Sequence, residues 1–203
     1  MLGSEKILSE SLDENVRLGV EKQLDTLRRL SKLVRNLLEI SRLEQHESIN
    51  RELVDFKPLI LHTVEEFEEV LAEKGIQIHS KLQSIRLYAD PDKILQMLIN
   101  LLDNAIKYNL PNNGQIWVSL DKVDDNIELS ISNTGVTIPE NSLGKIFEQF
   151  YRVEKSRSSM FGGAGLGLAI AQQILIIHQA TIKVTSDHTG LTTFSICFPD
   201  EVQ

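Results

Sequence analysis

Leu27, Leu30, Val34 and Leu37 recur at intervals of three, four and three, the seam of a coiled coil or helical bundle. Leu33, Leu38 and Ile40 widen the same apolar face, and the spacing predicts one helix over residues 16–43. A helix with so much apolar surface needs a partner. An oligomerising helix is preferred over one packed on its own domain, because the stripe is long and precedes the globular pattern. Glu44-Gln45-His46-Glu47-Ser48 reads as a linker.

From residue 50 the periodicity changes repeatedly. Residues 50–54 read as a strand. Asp55 caps a helix with Pro58 in its first turn, reaching about residue 74 on Leu59, Ile60, Val64, Phe67 and Leu71,. Gly75 suits its C-terminal end. Residues 76–78 and 85–88 are short strands. Asp90-Pro91, a cap followed by proline at the first helical position, starts a helix to about residue 108. Pro111 to Gly114 form a turn. Residues 115–120 and 126–132 alternate as the arms of a hairpin. A loop region with one short helix, 142–151, follows. Gly162-Gly163-Ala164-Gly165-Leu166-Gly167 then opens a helix to about residue 178, and strands are expected at 181–185 and 192–198. This order predicts an α+β fold, a layered α/β sandwich of three helices over a mixed sheet, preceded by the long helix. The expected division is 1–46 for the helical region and 47–203 for the globular domain.

Composition narrows the function. The chain has 203 residues, enough for one core and an appendage,. A formal net charge of −8 argues against a nucleic-acid interface, so an anionic ligand needs local basic residues. Cys197, the single cysteine, lies in the alternation Phe194-Ser195-Ile196-Cys197-Phe198 and reads as a strand residue. An intramolecular disulfide and a cysteine zinc cluster are both excluded. No apolar run approaches the ~20 residues of a membrane span, and no signal peptide is visible.

Candidate chemistry lies on the helix after Asp90. Gln96, Asn100, Asn104 and Lys107 share one face, while Leu98, Leu101, Leu102 and Ala105 take the opposite one,. Two amides and an ammonium make a poor core stripe. They suit a metal-bound polyphosphate: magnesium prefers oxygen ligands and bridges phosphates, and lysine supplies a point charge. A solvated helix face is the plain alternative. The glycine stretch, where backbone N–H groups and a helix N-terminus meet, is a natural phosphate seat, though similar loops are also mere tight turns. Arg152, Lys155 and Arg157 form a basic cluster suited to an anion. On residue type alone, Tyr108 and Phe150 read as core aromatics.

These stretches together resemble the sensor histidine kinases of two-component signal transduction. Asn100-Leu101-Leu102-Asp103-Asn104-Ala105-Ile106-Lys107-Tyr108 resembles their N box and Phe147-Glu148-Gln149-Phe150-Tyr151-Arg152 their F box. Gly163-Ala164-Gly165-Leu166-Gly167-Leu168 resembles the second glycine box, and Thr192-Thr193-Phe194 the last box. The likeness covers roughly residues 16–199, and residues 146–171 most resemble the vancomycin-resistance type. It implies the ATP-binding (Bergerat) fold shared with gyrase and chaperone ATPases, with ATP and magnesium as ligands. The implied roles are magnesium ligation by Asn104 and phosphate contacts from Asn100 and Lys107. Tyr108 would stack near the adenine and Arg152 would balance charge at the γ-phosphate. Gly163, Gly165 and Gly167 would shape a lid and phosphate-facing turn, joined by Leu166 and Leu168. Phe150, Gly135 and Thr193 enter the nucleotide-binding set with their boxes. Implied partners are a second copy, through the helical region, and a response regulator. The implied setting is the cytoplasmic part of a membrane-anchored sensor, with any membrane contact made by a segment absent from this chain.

Two departures stand out. Where the family runs Asp-x-Gly-x-Gly, this chain has Asn133-Thr134-Gly135-Val136-Thr137. Asn133 keeps an acceptor oxygen for the adenine amino group but not the charge, worth ~1.5–3 kcal/mol for a charged bond against ~0.5–1.5 for a neutral one. The family's phosphoacceptor motif on a first dimerisation helix is also missing. His46, His62, His79, His178 and His188 all lack its context and are expected to be structural or solvated. The long helix resembles the second dimerisation helix alone. Among competing functions, an ATPase needs a water-orienting Glu where Asn100 stands, and an amide is no general base. A serine-phosphorylating anti-sigma kinase fits the long helix poorly. A nucleotide-free interaction module remains the non-enzymatic alternative, separable by ATP titration.

Overall fold

The computed structural model describes residues 14–45, 49–124, 126–153 and 164–199. The chain divides into two compact units, one ending at Leu38 and the other beginning at Glu39. Helix α1 (Glu14–Glu44) accounts for the described part of the first. Its seam residues Leu27, Leu30, Val34 and Leu37 are all exposed in the single chain.

In the second unit, the last turns of α1 bury Ile40 and Leu43. Lys93 Nζ donates to the Glu39 carboxylate at 2.5 Å, and Gln149 Nε2 donates to Glu44 at 3.3 Å. Strand β1 (Glu52–Asp55) leads into α2 (Phe56–Glu66), capped by Asp55 through the Lys57 N–H. One helix was expected to residue 74. A second, α3 (Glu68–Lys74), follows instead, because Phe67 leaves helical geometry and its N–H turns back to the carbonyls of Val64 and Glu65. Gly75 ends α3 with φ +62, the left-handed conformation glycine adopts cheaply.

Strands β2 (Gln77–Leu82) and β3 (Arg86–Ala89) precede α4 (Pro91–Lys107), with Asp90 as cap and Pro91 in the first turn. The hairpin β4 (Gln115–Val123) and β5 (Asn126–Thr134) follows. The expected helix at 142–151 shrinks to α5 (Glu140–Leu143). Gly144 ends it, and Phe150 adopts φ +64, which no helix accommodates. Helix α6 (Gly167–Ile177) and strands β6 (Thr181–Ser186) and β7 (Leu191–Pro199) complete the chain.

The five-stranded sheet has the order β2-β4-β5-β7-β6. The β2–β4 pair is parallel and the others antiparallel, so the sheet is mixed. The β1 and β3 strands form a separate two-stranded ribbon. Helices α2, α4 and α6 make the covering layer: α4 packs on α2, α6 and β5, and α6 on β6. Phe56 of α2 meets Phe198 of β7 edge to face at 5.4 Å. Alternation along β5 and β7 turns Ile127, Leu129, Ile131, Phe194, Ile196 and Phe198 into the core,. This is the layered sandwich of three helices over a mixed sheet that the order of elements predicts. Cys197 is partly exposed within β7. No helix among the described residues is long and apolar enough to cross a membrane.

Candidate functional site

Helix α4 is amphipathic in the expected sense. Leu98, Leu101, Leu102 and Ala105 are buried, while Gln96, Asn100, Asn104 and Lys107 are partly exposed on the other face. Asn100 Nδ2 donates to the Gln96 carbonyl (3.0 Å), a bond that does not use Oδ1. That oxygen meets the start of α6: a Cβ added to Gly167 would sit 3.0 Å from it. Leu166, buried at the α6 N-cap, supplies no capping side chain, so the first turn presents backbone N–H groups. Leu168 is half-buried in that turn.

Phe150 and Gly165 close the glycine loop. The Phe150 N–H donates to the Gly165 carbonyl (2.9 Å). Gly165 has φ +72, and a Cβ there would lie 2.9 Å from the Tyr151 carbonyl oxygen, so only glycine fits on both counts. Phe147 anchors this segment on Phe194 (6.3 Å, edge to face), and Tyr151 Oη donates to Ser142 Oγ (3.0 Å). Arg152 is half-buried beside Tyr151. Gly163, Lys155, Arg157 and His46 lie outside the described residues. Tyr108 and Phe150 are 44% and 55% exposed, so neither is the core aromatic that residue type alone suggests.

Asn133 continues the inward stripe of β5 as a polar side chain, 4% exposed. Its Nδ2 donates to the Thr134 carbonyl (2.9 Å), and its oxygen is the end that bond does not use. Beside it, Gly135 lies so close to the end of α4 that a Cβ would sit 2.1 Å from the Tyr108 carbonyl oxygen. Thr193 lies in the last box, on the alternate phase of β7 from Phe194. It pairs with Ser132 in register, and the two hydroxyls bond at 2.8 Å on the opposite face of the sheet. Thr192, register partner of Asn133 and 5% exposed, shares the Asn133 face. The inward alternation Phe194, Ile196, Phe198, extended back two residues, was the available signal. Asn109 was also missed. Its Oδ1 accepts from Thr134 Oγ1 (2.6 Å) and its Nδ2 donates to the Gln115 carbonyl (3.2 Å), tying the end of α4 to β4 and β5.

Lys107 Nζ donates to Asp103 (2.5 Å) one turn back on α4. At the far end of the helix pair, burial lowers the pKa of His178, helped by Arg51 and opposed by the Ile174 hydrogen bond and Asp90. His178 is therefore structural, while His62, His79 and His188 are exposed. The donor set fits a magnesium-bound polyphosphate: amide oxygens on α4, an ammonium one turn on, and a helix N-terminus kept open by Gly167,.

A profile of the histidine kinase-, DNA gyrase B- and HSP90-like ATPases matches residues 89–202, and the chain belongs to that family. It is 32% identical over 176 residues to the sensor protein kinase WalK of Staphylococcus haemolyticus, covering 86% of this chain and 29% of WalK. The chain spans about half the length or less of the curated relatives it matches. The structure of histidine kinase AdeS of Acinetobacter baumannii superposes with a TM-score of 0.73 at 29% identity, covering 94% of this chain and 87% of that one. A complex of histidine kinase ThkA with the response regulator TrrA gives 0.73 at 26% identity, covering 99% and 57%. The narrower likeness to the vancomycin-resistance type stays an expectation.

Proposed function

We propose that this chain is the catalytic, ATP-binding part of a sensor histidine kinase, moving the γ-phosphoryl group of ATP to a histidine on a helical dimerisation region. The observation that carries the reading is the meeting of Asn100 on α4 with Gly167 at the open N-terminus of α6. In it, Asn100 Oδ1, Asn104 and Lys107 face the triphosphate from one side and the first N–H groups of α6 from the other. Asn104 would hold magnesium through its amide oxygen, and the ion would supply positive charge to offset that of the phosphates. Lys107 exchanges part of its pairing with Asp103 for phosphate. Arg152 balances charge at the γ-phosphate, and Asn133, with Tyr108 alongside, receives the adenine. Catalysis is then positioning and electrostatics. The bond between the γ-phosphorus and its bridging oxygen breaks, ADP leaves, and a bond to the acceptor nitrogen forms. Asn100 offers no base to activate water, which disfavours an ATPase.

The exposed seam of α1 (Leu27, Leu30, Val34, Leu37) supports a homodimer through the helical region, with the domain division at 46/47. The likeness to ThkA, solved with its regulator, supports a response regulator as the recipient. The reading also places the chain at the cytoplasmic side of a membrane-anchored sensor.

The test is transfer in trans. The chain is incubated with γ-labelled ATP, magnesium and a separately supplied acceptor-histidine hairpin. Acid-labile, base-stable label on the hairpin, lost in Lys107→Ala, is expected. Label on one of the chain's own histidines, or release as free phosphate alone, contradicts the proposal.

A further inference from the structure

Residues 135–139 join β5 to α5, and their far side is stitched to the end of β6 and the turn between β6 and β7. The Gly135 N–H donates to the Gly190 carbonyl (2.8 Å). Thr137 Oγ1 donates to the Asp187 carbonyl (2.9 Å). The Ile138 N–H donates to Ser186 Oγ (2.9 Å). The turn is itself closed around one carboxylate: Asp187 Oδ1 accepts from the Thr189 N–H (2.8 Å), the Thr189 hydroxyl (2.6 Å) and the Leu191 N–H (3.2 Å).

Sterics make this stitching tight. Gly190 has φ +83, and a Cβ there would lie 2.3 Å from the Gly135 carbonyl oxygen. A Cβ on Gly135 would lie 2.1 Å from the Tyr108 carbonyl oxygen. Three backbones, at Tyr108, Gly135 and Gly190, are therefore stacked with no room for a side chain between them. Asn133 is two residues before the middle layer.

We infer that the β6–β7 turn, residues 187–190, is a positioning element for base recognition, acting on Asn133 through Gly190 and through the hydroxyl of Thr137. The inference rests on the nucleotide reading above and deepens it. Thr137 stands where the resembling motif has a second glycine. That replacement exchanges a permissive residue for a cross-link, so the loop is fixed by a hydroxyl bond to the turn. Thr137 is exposed, and a change there leaves the core untouched.

The experiment measures affinities of the full chain for ATP, GTP and inorganic tripolyphosphate, each with magnesium, alongside the thermal midpoint. Parent, Thr137→Val, Thr137→Ser and Gly190→Ala are compared. Thr137→Val keeps shape but loses the donor. Its preference for ATP over GTP is expected to drop roughly three- to tenfold, the scale of one neutral hydrogen bond, with tripolyphosphate affinity and midpoint close to the parent. Thr137→Ser restores the preference, and Gly190→Ala lowers it further. Unchanged base preference in Thr137→Val overturns the inference while the nucleotide reading stands. So does an equal loss of all three ligands that follows the midpoint, the mark of a merely structural role. A parent that binds ATP and GTP alike removes the adenine reading itself, and the inference with it.

Discussion

The ring of His178, which follows α6, accepts a hydrogen bond at Nε2 from the backbone N–H of Asp90, the cap of α4, at 3.0 Å. Nδ1 lies 2.7 Å from the Ile174 carbonyl and must carry the proton, so both nitrogens are committed in the neutral ring. Asp90 also accepts from the Lys93 and Asn50 N–H groups, and Arg51 Nη2 donates to the Ile177 carbonyl (2.7 Å). The two helices that carry the candidate site are thus fastened at the ends remote from it.

The first prediction is a pH dependence. Burial, with Arg51 adding to it, holds the pKa of His178 below its ordinary 6.5 in the folded chain. Its neutral form therefore contributes stability that is present above the unfolded pKa and lost as pH falls through the folded one. Urea midpoints should decline below about pH 6.5 more steeply in the parent than in His178→Leu. At pH 8 that variant should be less stable by about 1–3 kcal/mol, since it orphans the Asp90 N–H. Parallel pH profiles contradict the assignment.

Gly165→Ala meets both a left-handed backbone and the Tyr151 carbonyl oxygen. The expected cost is about 1–3 kcal/mol in urea unfolding, with weakened ATP binding. Gly144→Ala is the control: φ is −71 and nothing lies within 4 Å of the added Cβ, so its effect should stay within about 0.5 kcal/mol. Equal effects at the two glycines contradict the close-approach argument.

Asn133→Leu removes the acceptor proposed for the adenine amino group. ATP binding should weaken by about 1–3 kcal/mol and the preference over GTP should fall. On residue chemistry alone, Asn133→Asp keeps or tightens binding. The structure adds a second effect, because a carboxylate cannot donate to the Thr134 carbonyl at this buried position. Lower stability of the empty protein is expected, measured by thermal unfolding. An Asn133→Leu chain with unchanged affinity and base preference contradicts the adenine role.

Lys107→Ala should cost ATP about 1.5–3 kcal/mol, the worth of a charge-assisted bond, with the ATP-to-GTP preference unchanged. Competition titration with both nucleotides separates this from the Asn133 effect. A change in base preference on removing Lys107 contradicts its placement at the phosphates.

The parts legible in the sequence were those set by local chemistry. Asp55, Asp90-Pro91 and Gly75 mark element ends through their own backbone preferences, and alternation in 115–120 and 126–132 marks a hairpin. The α4 stripe follows from helical spacing alone. Misreadings arose where distant packing decides. Phe67 interrupts a helix that periodicity carries straight through. Phe150 looks like core by residue type, yet its positive φ, with its N–H bonded to the Gly165 carbonyl, accompanies an exposed ring, while half-buried Phe147 packs on Phe194. Thr192 and Thr193 are equivalent as letters, and only the phase of β7 tells them apart. Asn109 acts through side-chain bonds to Thr134 and Gln115, and Gly190 through a close backbone approach to Gly135, neither of which a local pattern reports.

Calorimetric titration of this chain with ATP, in magnesium and in a chelator, tests the central claim most directly. The site at α4 and α6 predicts binding that strengthens with magnesium in the parent and loses most of that dependence in Asn104→Leu, which has no ligand oxygen. Equal affinity with and without magnesium, or no binding in either, would contradict it.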